Sequence, residues 1–521
     1  MPLTDAAAEV VLDEAFRVGP VPRRLFGSFV EHMGRCVYGG IHEPGHETAD
    51  EDGFRRDVLE LAGELGASVV RYPGGNFVSG YRWEDGVGPR ADRPVRLDRA
   101  WKAVETNQVG TDEFLRWVRR LGAEPMLAVN LGTRGMQEAC ELLEYCNHPG
   151  GTAWSDLRIR NGAREPHDVR LWCLGNEMDG PWQMGHKTAA EYGRVAAEAA
   201  RGMRRLDPRI ELVACGSSHS RMPTFGAWEA EVLEHTYDLV DYVSLHAYYQ
   251  EHDGDVASFL ASAVDMDHMI DAVVATADAV GARRRSRKKI KLSFDEWNVW
   301  YQSRFGGEDS LEFAGTRALI EDDYSALDAV VVGNLLLALL RHSDRVAIAC
   351  QAQLVNVIAP IRTEPGGPAW RQSIFDPFAL TARHARGDVL RTAVSSPMLP
   401  TGRYGDVAQL DATATLAPAP DPSLDPAVPD PAGAALSVFL VNRSPDAALR
   451  TSVRLPRGRW VPVGHLGIAA GEPRVNSAAD PDAVRVRYQE LPAMREGEAQ
   501  VELPAASWSL LRFAEPTERE P

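Results

Sequence analysis

The stretch VRLWCLGNEMDGPWQ (169–183) runs from near-continuous apolar residues into Gly175, Asn176 and Glu177. A strand with one wet face alternates apolar and polar residues. This one does not, so it reads as a strand covered on both sides. Thr188 and Glu191 then form a capping-box pattern ahead of Tyr192, Val195 and Met203, which predicts a helix. A second apolar run, IELVACGSS (210–218), follows. Strand, helix and strand in that order make the unit of a parallel sheet.

Outward from this unit the pattern repeats. Apolar runs ending in polar residues or glycine occur at 24–32 (RLFGSFVEH), 67–76 (ASVVRYPGGN), 124–133 (EPMLAVNLGT), 242–249 (YVSLHAYY), 290–298 (IKLSFDEWN) and 346–354 (VAIACQAQL). Helical patterns separate them. Phe54, Val58, Leu61 and Leu65 recur at helical spacing, and Thr111 is placed to cap a helix carrying Phe114, Leu115, Val118 and Leu121. Eight strand–helix units in series predict an α/β fold, a (β/α)8 TIM barrel over residues 21–385. The rival, a doubly wound open sheet, would show a glycine fingerprint after its first strand, and GRCVYGG (34–40) has none.

After about 385 the helical period disappears. LSVFLVNRS (436–444), RTSVRLP (450–456), VRVRYQEL (484–491) and SWSLLRF (507–513) alternate instead. They predict an accessory antiparallel β-sandwich over 386–521, with the Pro-rich segment 417–433 as a surface loop. Residues 1–20 contain the strand-like EVVLDEAF and are expected to join it.

Composition narrows the class of function. The chain has 521 residues, 44 % hydrophobic and 25 % charged, with a net charge of −18. That is globular usage and rules out a disordered chain. The acidity argues against a nucleic-acid or anionic-membrane partner. The apolar run 329–340 (AVVVGNLLLALL) is too short to span a bilayer and reads as a buried helix. The acidic N-terminus has no signal-peptide pattern, and six cysteines are too few for a disulfide scaffold, so a cytoplasmic location is expected. The basic run ARRRSRKKIK (282–291) reads as a solvated helix end.

In such a barrel the chemistry gathers at the C-terminal strand ends. Those ends carry Glu31 and His32, Arg71 and Asn76, Asn130, Asn176 and Glu177, Ser217 and Ser218, His246 and Tyr248, Asp295 and Glu296, and Gln353. Two carboxylates stand out. Glu177 closes the fourth strand and Glu296 the seventh, facing each other across the mouth. Opposed carboxylates are the minimum kit for breaking a glycosidic bond: one protonates the leaving oxygen, the other acts as base or nucleophile. Nearby aromatics (Trp83, Trp101, Trp182, Trp297, Trp300, Tyr81 and Tyr248) suit the apolar faces of a sugar.

RYPGGNFVSGYRWEDGVGPR (71–90), CLGNEMDGPWQ (173–183), YVSLHAYY (242–249), DEWNVWY (295–301) and AQLVNVIAPI (352–361) closely resemble the α-L-arabinofuranosidases of glycoside hydrolase family 51. The resemblance spans about 24–385, and the sandwich tail fits it. It implies a retaining, exo-acting enzyme that releases terminal α-L-arabinofuranosyl groups from arabino-oligosaccharides. It further implies no metal or organic cofactor, and a homo-oligomer, often a hexamer. By position, Glu177 resembles the general acid/base and Glu296 the nucleophile. Glu31, Asn76, Asn176, Tyr248 and Gln353 match residues lining the arabinose subsite, and Arg71, His246, Trp101 and Trp300 supporting ones. Three places depart from the family pattern: the stretch 301–315, Asp376 where an aromatic is expected, and the 417–433 insertion.

Three rival readings remain open at this point. The same chemistry could serve β-xylosides or β-glucans. The chain could bind sugar without turnover. Or His32, His246, Glu177 and Glu296 could hold a metal, although the HxH pair that often opens such sites is missing.

Overall fold

The computed structural model describes residues 7–417 and 435–515. The Pro-rich 417–433 segment, apart from Ala417, lies outside the described residues.

Each of the eight apolar runs contains one barrel strand. They are β1 (Gly27–Phe29), β2 (Val69–Tyr72), β3 (Glu124–Ala128), β4 (Leu171–Leu174), β5 (Glu211–Ala214), β6 (Tyr242–Tyr249), β7 (Lys291–Val299) and β8 (Val346–Gln351). All neighbours pair in parallel, and β8 closes on β1 through Cys350 opposite Gly27. The continuous apolar character follows from this closure, since each strand faces the barrel interior on one side and a helix on the other.

The helices form where capping and period place them. Thr188 Oγ1 accepts the Glu191 N–H at 3.4 Å, and Glu191 Oε2 accepts the Thr188 N–H at 2.9 Å, opening helix Ala189–Leu206. Thr111 does not cap its helix. It is the first residue of helix Thr111–Leu121, and the cap is Gly110, whose N–H donates to Glu113 Oε2 at 3.0 Å. The acidic residue at the third helical position satisfies the amide of the cap residue itself, the carboxylate half of a capping box.

Among the described residues the second domain is a ten-stranded sheet with a separate two-stranded hairpin, rather than a purely antiparallel sandwich. Strand Ala7–Pro20 inserts between Asp388–Ser395 and Leu449–Arg454, antiparallel to the first and parallel to the second. That parallel pair makes the sheet mixed. Alternation along the chain predicts a strand's faces but says nothing of its neighbour's direction. The sheet curls around its own core, in which Val10 and Leu449 from the middle meet Leu436, Val438, Leu511 and Phe513. The opposite faces of the same strands, through Phe439, Val441, Trp508 and Leu510, join the barrel core.

The 329–340 run lies within the buried helix Ala326–Arg341, which is the hinge of this packing. Asn334 and Arg341 both donate to Asp411 Oδ2 of the sheet at 2.6 Å, and Arg443 pairs with the same carboxylate. Burial opposes its ionisation, but the two guanidinium groups prevail and hold Asp411 well below the usual carboxylate range. Asp376, the departure from the family pattern, accepts from Arg485 Nε at 2.7 Å and Val486 N at 3.0 Å, tying the last barrel helix to the sheet. The basic run ends helix Ala263–Arg283 and meets Glu234 and Asp238 on a neighbouring segment and Asp278 of the same helix. Among the described residues no helix is long and apolar enough to cross a membrane, and all six cysteines are free.

Gly333 sits where this helix meets the sheet, and a Cβ there would come within 2.3 Å of the Trp508 indole. Trp508 is fully buried and cannot swing away. Gly333→Ala is therefore expected to destabilise the protein by about 1–3 kcal/mol through overpacking. A melting temperature equal to the parent's would contradict this reading of the interface.

Candidate active site

At the mouth of the barrel a cleft of about 310 Å³ is lined by residues from the ends of β1, β2, β4, β6, β7 and β8. The central group is His246, on β6. Its Nδ1 lies 2.8 Å from Glu177 Oε1 and 3.5 Å from Glu296 Oε2. One oxygen of each glutamate lies within 4.8 Å of the other. That matches the roughly 5–5.5 Å spacing of double displacement and leaves no room for the water an inverting pair needs at about 6.5–9.5 Å.

Glu296 is almost fully buried. Oε1 accepts Arg71 Nη1 at 2.7 Å, and Oε2 accepts the Tyr248 hydroxyl at 2.8 Å. Arg71 also donates to Asn176 Oδ1 at 2.7 Å and lies 3.4 Å from Asp295. Its cation is thus shared by two adjacent carboxylates on β7. Burial opposes the charge on Asp295, but Arg71 and His246 outweigh it and keep that carboxyl below the usual range. Burial and the Glu296 charge together push the Tyr248 hydroxyl far above its ordinary value, so it stays a donor.

Glu177 follows Gly175 and Asn176 at the end of β4, in the left-handed region at φ 43°. A non-glycine residue there is strained, and such strain is held where a side chain must be aimed. Its Oε1 faces His246, and Oε2 accepts Trp182 Nε1 at 2.7 Å. Trp182 is one of the strand-end aromatics, but nothing in its spacing signalled a bond to the carboxylate.

The far end of the cleft is closed. Glu31 accepts Phe77 N at 3.0 Å, Trp101 Nε1 at 2.8 Å and Gln353 Nε2 at 3.0 Å. Burial pushes its carboxyl up to about 8, against the Phe77 amide and with a further push from Glu296. The PGG of RYPGGN is explained here. A Cβ on Gly75 would meet Glu31 Oε2 at 2.6 Å, and one on Gly74 would meet Glu31 Cγ at 2.9 Å. Asn76 faces the cleft, its Oδ1 3.5 Å from Asn176 Nδ2. Trp300 packs edge-on against Tyr248, centroids 5.2 Å apart.

Of the eleven residues singled out by the resemblance, eight line this space, while Arg71, Asn176 and His246 are buried just behind it, bonded to Glu296, Arg71 and Glu177 in turn. Some other strand-end residues do not reach it. His32 turns behind the wall, to Glu105 at 2.9 Å and Tyr72 at 2.8 Å. Asn130 bonds Tyr81 O and Thr133 Oγ1, each at 3.0 Å. Trp83 packs on Tyr145 and Trp154, and Trp297 stacks on Phe378. Sequence reasoning missed His219, Arg221, Phe305 and Ile320, which line the cleft from loops and carry no motif, and Ile358, which lies within AQLVNVIAPI without a polar group to mark it.

Burial disfavours a charged His246, but Glu296, Asp295 and Glu177 overcome it and raise the imidazole from 6.5 to about 10. The imidazole thus carries its second proton at neutral pH, and Nδ1 donates to Glu177 Oε1. The folded state binds this proton more tightly than the unfolded chain. Its stabilisation is full below pH 6.5 and is lost as pH rises toward 10. His246→Asn is expected to flatten the fall of melting temperature across that window. An unchanged slope would show that His246 is not the titrating group.

Comparisons with known proteins follow the same outline. Residues 61–269 match the family model described as the α-L-arabinofuranosidase 1 domain, and residues 295–507 the one described as the α-L-arabinofuranosidase C-terminal domain. An intracellular exo-α-(1→5)-L-arabinofuranosidase of Streptomyces lividans is 56 % identical, over 99 % of this chain and 76 % of that one. An exo-α-(1→6)-L-arabinofuranosidase of Bifidobacterium longum is 54 % identical, over 87 % and 86 %. The solved structure of a family 51 α-L-arabinofuranosidase from Bifidobacterium longum superposes with a TM-score of 0.90 at 46 % identity, covering 98 % of this chain and all of that one.

Proposed function

From the premise that the chain belongs to the α-L-arabinofuranosidases of glycoside hydrolase family 51, we propose how its own residues divide the work, with Glu296 as nucleophile and Glu177 as general acid/base. The enzyme is exo-acting and releases terminal arabinofuranosyl residues. The observation that carries the assignment is the pair of carboxylates bridged by His246, with oxygens within 4.8 Å.

In the first half-reaction a Glu296 oxygen forms a bond to the anomeric carbon. The bond to the leaving oxygen breaks, and Glu177 gives that oxygen its proton. Arg71 holds the Glu296 carboxylate aimed until then. In the second half-reaction Glu177 takes a proton from water, whose oxygen displaces Glu296. Esterification of Glu296 removes the anion that contributes most to keeping His246 protonated. Asn176, fixed by Arg71, is placed for the sugar 2-hydroxyl. Glu31, Asn76, Tyr248 and Gln353 line the rest of the subsite, supported by Trp101 and Trp300.

Arabino-oligosaccharides are the substrates this reading assigns, and the intracellular naming of the Streptomyces relative supports a cytoplasmic location. The hexamer rests on the resemblance alone, and sedimentation equilibrium would test it. The substrate reading is tested with aryl α-L-arabinofuranoside against aryl β-D-xyloside, with and without EDTA. Arabinofuranoside is expected to be hydrolysed far faster, and chelation to change nothing. Faster xyloside hydrolysis would replace the substrate assignment.

A further inference from the structure

A second chamber of about 300 Å³ adjoins the cleft, and His219, Arg221 and Tyr248 line both. Its far wall is Arg403 and Tyr404, which the second domain delivers to the barrel. They form the tip of a hairpin, Met398–Thr401 paired with Gly405–Ala408. The tip is fixed. Arg403 N donates to Ser258 Oγ and Tyr404 N to Thr401 Oγ1, each at 3.0 Å. Gly402 lies so close to Asp255 that a Cβ would meet its Oδ2 at 2.4 Å. Asp255 in turn caps helix Val256–Leu260, accepting Ser258 N at 3.0 Å.

The direction of the chamber matters. The blind end of the cleft, closed by Glu31, Trp101 and Gln353, takes the terminal sugar. The leaving oxygen stands at Glu177, so the rest of the substrate departs on that side. Trp182, bonded to Glu177, stacks on His219 with centroids 6.2 Å apart and planes at 15°. Past this pair lies the second chamber. Its lining mixes Arg221 and Arg403, neither with a carboxylate in ion-pairing range among the described residues, with Asp265 and the rings of Tyr249 and Tyr404. Donors and a carboxylate acceptor beside aromatic rings suit a neutral polyhydroxy ligand rather than an ion.

We propose that this chamber binds the leaving-group sugars of an arabino-oligosaccharide beyond the first, and that the Arg403–Tyr404 tip sets the preference for chain length. The proposal rests on the reading of Glu177 as the acid. The test is kcat/KM for aryl α-L-arabinofuranoside and for α-(1→5)-linked arabinobiose, arabinotriose and arabinotetraose, in the parent, Arg403→Ala and Tyr404→Ala enzymes. The parent is expected to gain between the biose and the longer substrates. Both variants are expected to lose about tenfold on the triose, the worth of one or two hydrogen bonds, and less than twofold on the aryl glycoside. Arg403 is exposed, so its truncation leaves folding intact even if Tyr404→Ala does not. No gain with length in the parent overturns the proposal, as does an Arg403→Ala profile that is unchanged or falls equally on every substrate. Failure of the parent on the aryl arabinofuranoside would instead strike at the functional reading itself.

Discussion

Glu296→Ala is expected to lower kcat on an aryl α-L-arabinofuranoside by on the order of 10 000-fold or more while the protein stays folded. The size follows from the role. Without the carboxylate no glycosyl-enzyme can form, and the remaining groups only bind and orient. The intact fold follows from the neighbours. Arg71 would still face Asp295 at 3.4 Å and Asn176 at 2.7 Å, so its buried cation is not stranded. Glu296→Gln should behave alike, because it keeps the shape and loses the charge. Circular dichroism and steady-state kinetics on both variants check the two halves of this expectation. Substantial residual turnover, confirmed free of parent enzyme, would remove Glu296 from the mechanism.

Glu177→Ala should divide substrates by their leaving group. A natural oligosaccharide needs its departing oxygen protonated, and loss of the acid is expected to cost roughly 100- to 10 000-fold. An activated aryl glycoside leaves without help, so its first step survives and the second, which needs the base, becomes slow. Azide requires no base. It should restore turnover and give an arabinosyl azide of retained configuration. Glu177→Gln shares the parent's backbone demand at φ 43° and controls for strain released by the substitution. Equal loss on both substrates with no azide product would mean that Glu177 is not the acid/base.

The fold and the acid pair were legible for a shared reason. A strand buried on both faces must be apolar along its length, so the point where Leu174 gives way to Gly-Asn-Glu, or Phe294 to Asp-Glu, marks the barrel rim. A polar group at the rim has few places to point but the mouth. Contacts made through loops left no such trace. Trp182 reaches Glu177 across a turn, and His219 and Arg221 follow a strand whose own end, Ser218, is occupied in holding Asp179. His246, a supporting residue by resemblance, stands closer to Glu177 than to Glu296, a choice set by side-chain geometry. The exchange of Thr111 for Gly110 as cap turned on one glutamate three residues on. The parallel partner of strand Ala7–Pro20 lies more than 400 residues away in the sequence, and no local period encodes it.

The division of labour between the two glutamates is tested most directly by trapping what lies between the half-reactions. In Glu177→Ala with an activated aryl α-L-arabinofuranoside the first step proceeds and the second stalls, so the covalent adduct accumulates. Intact-protein mass spectrometry is expected to show a gain of one anhydro-arabinose per chain, mapped by digestion to Glu296 and discharged by azide. An adduct on any other side chain, or no adduct alongside β-arabinose as the first-formed product, would contradict double displacement through Glu296.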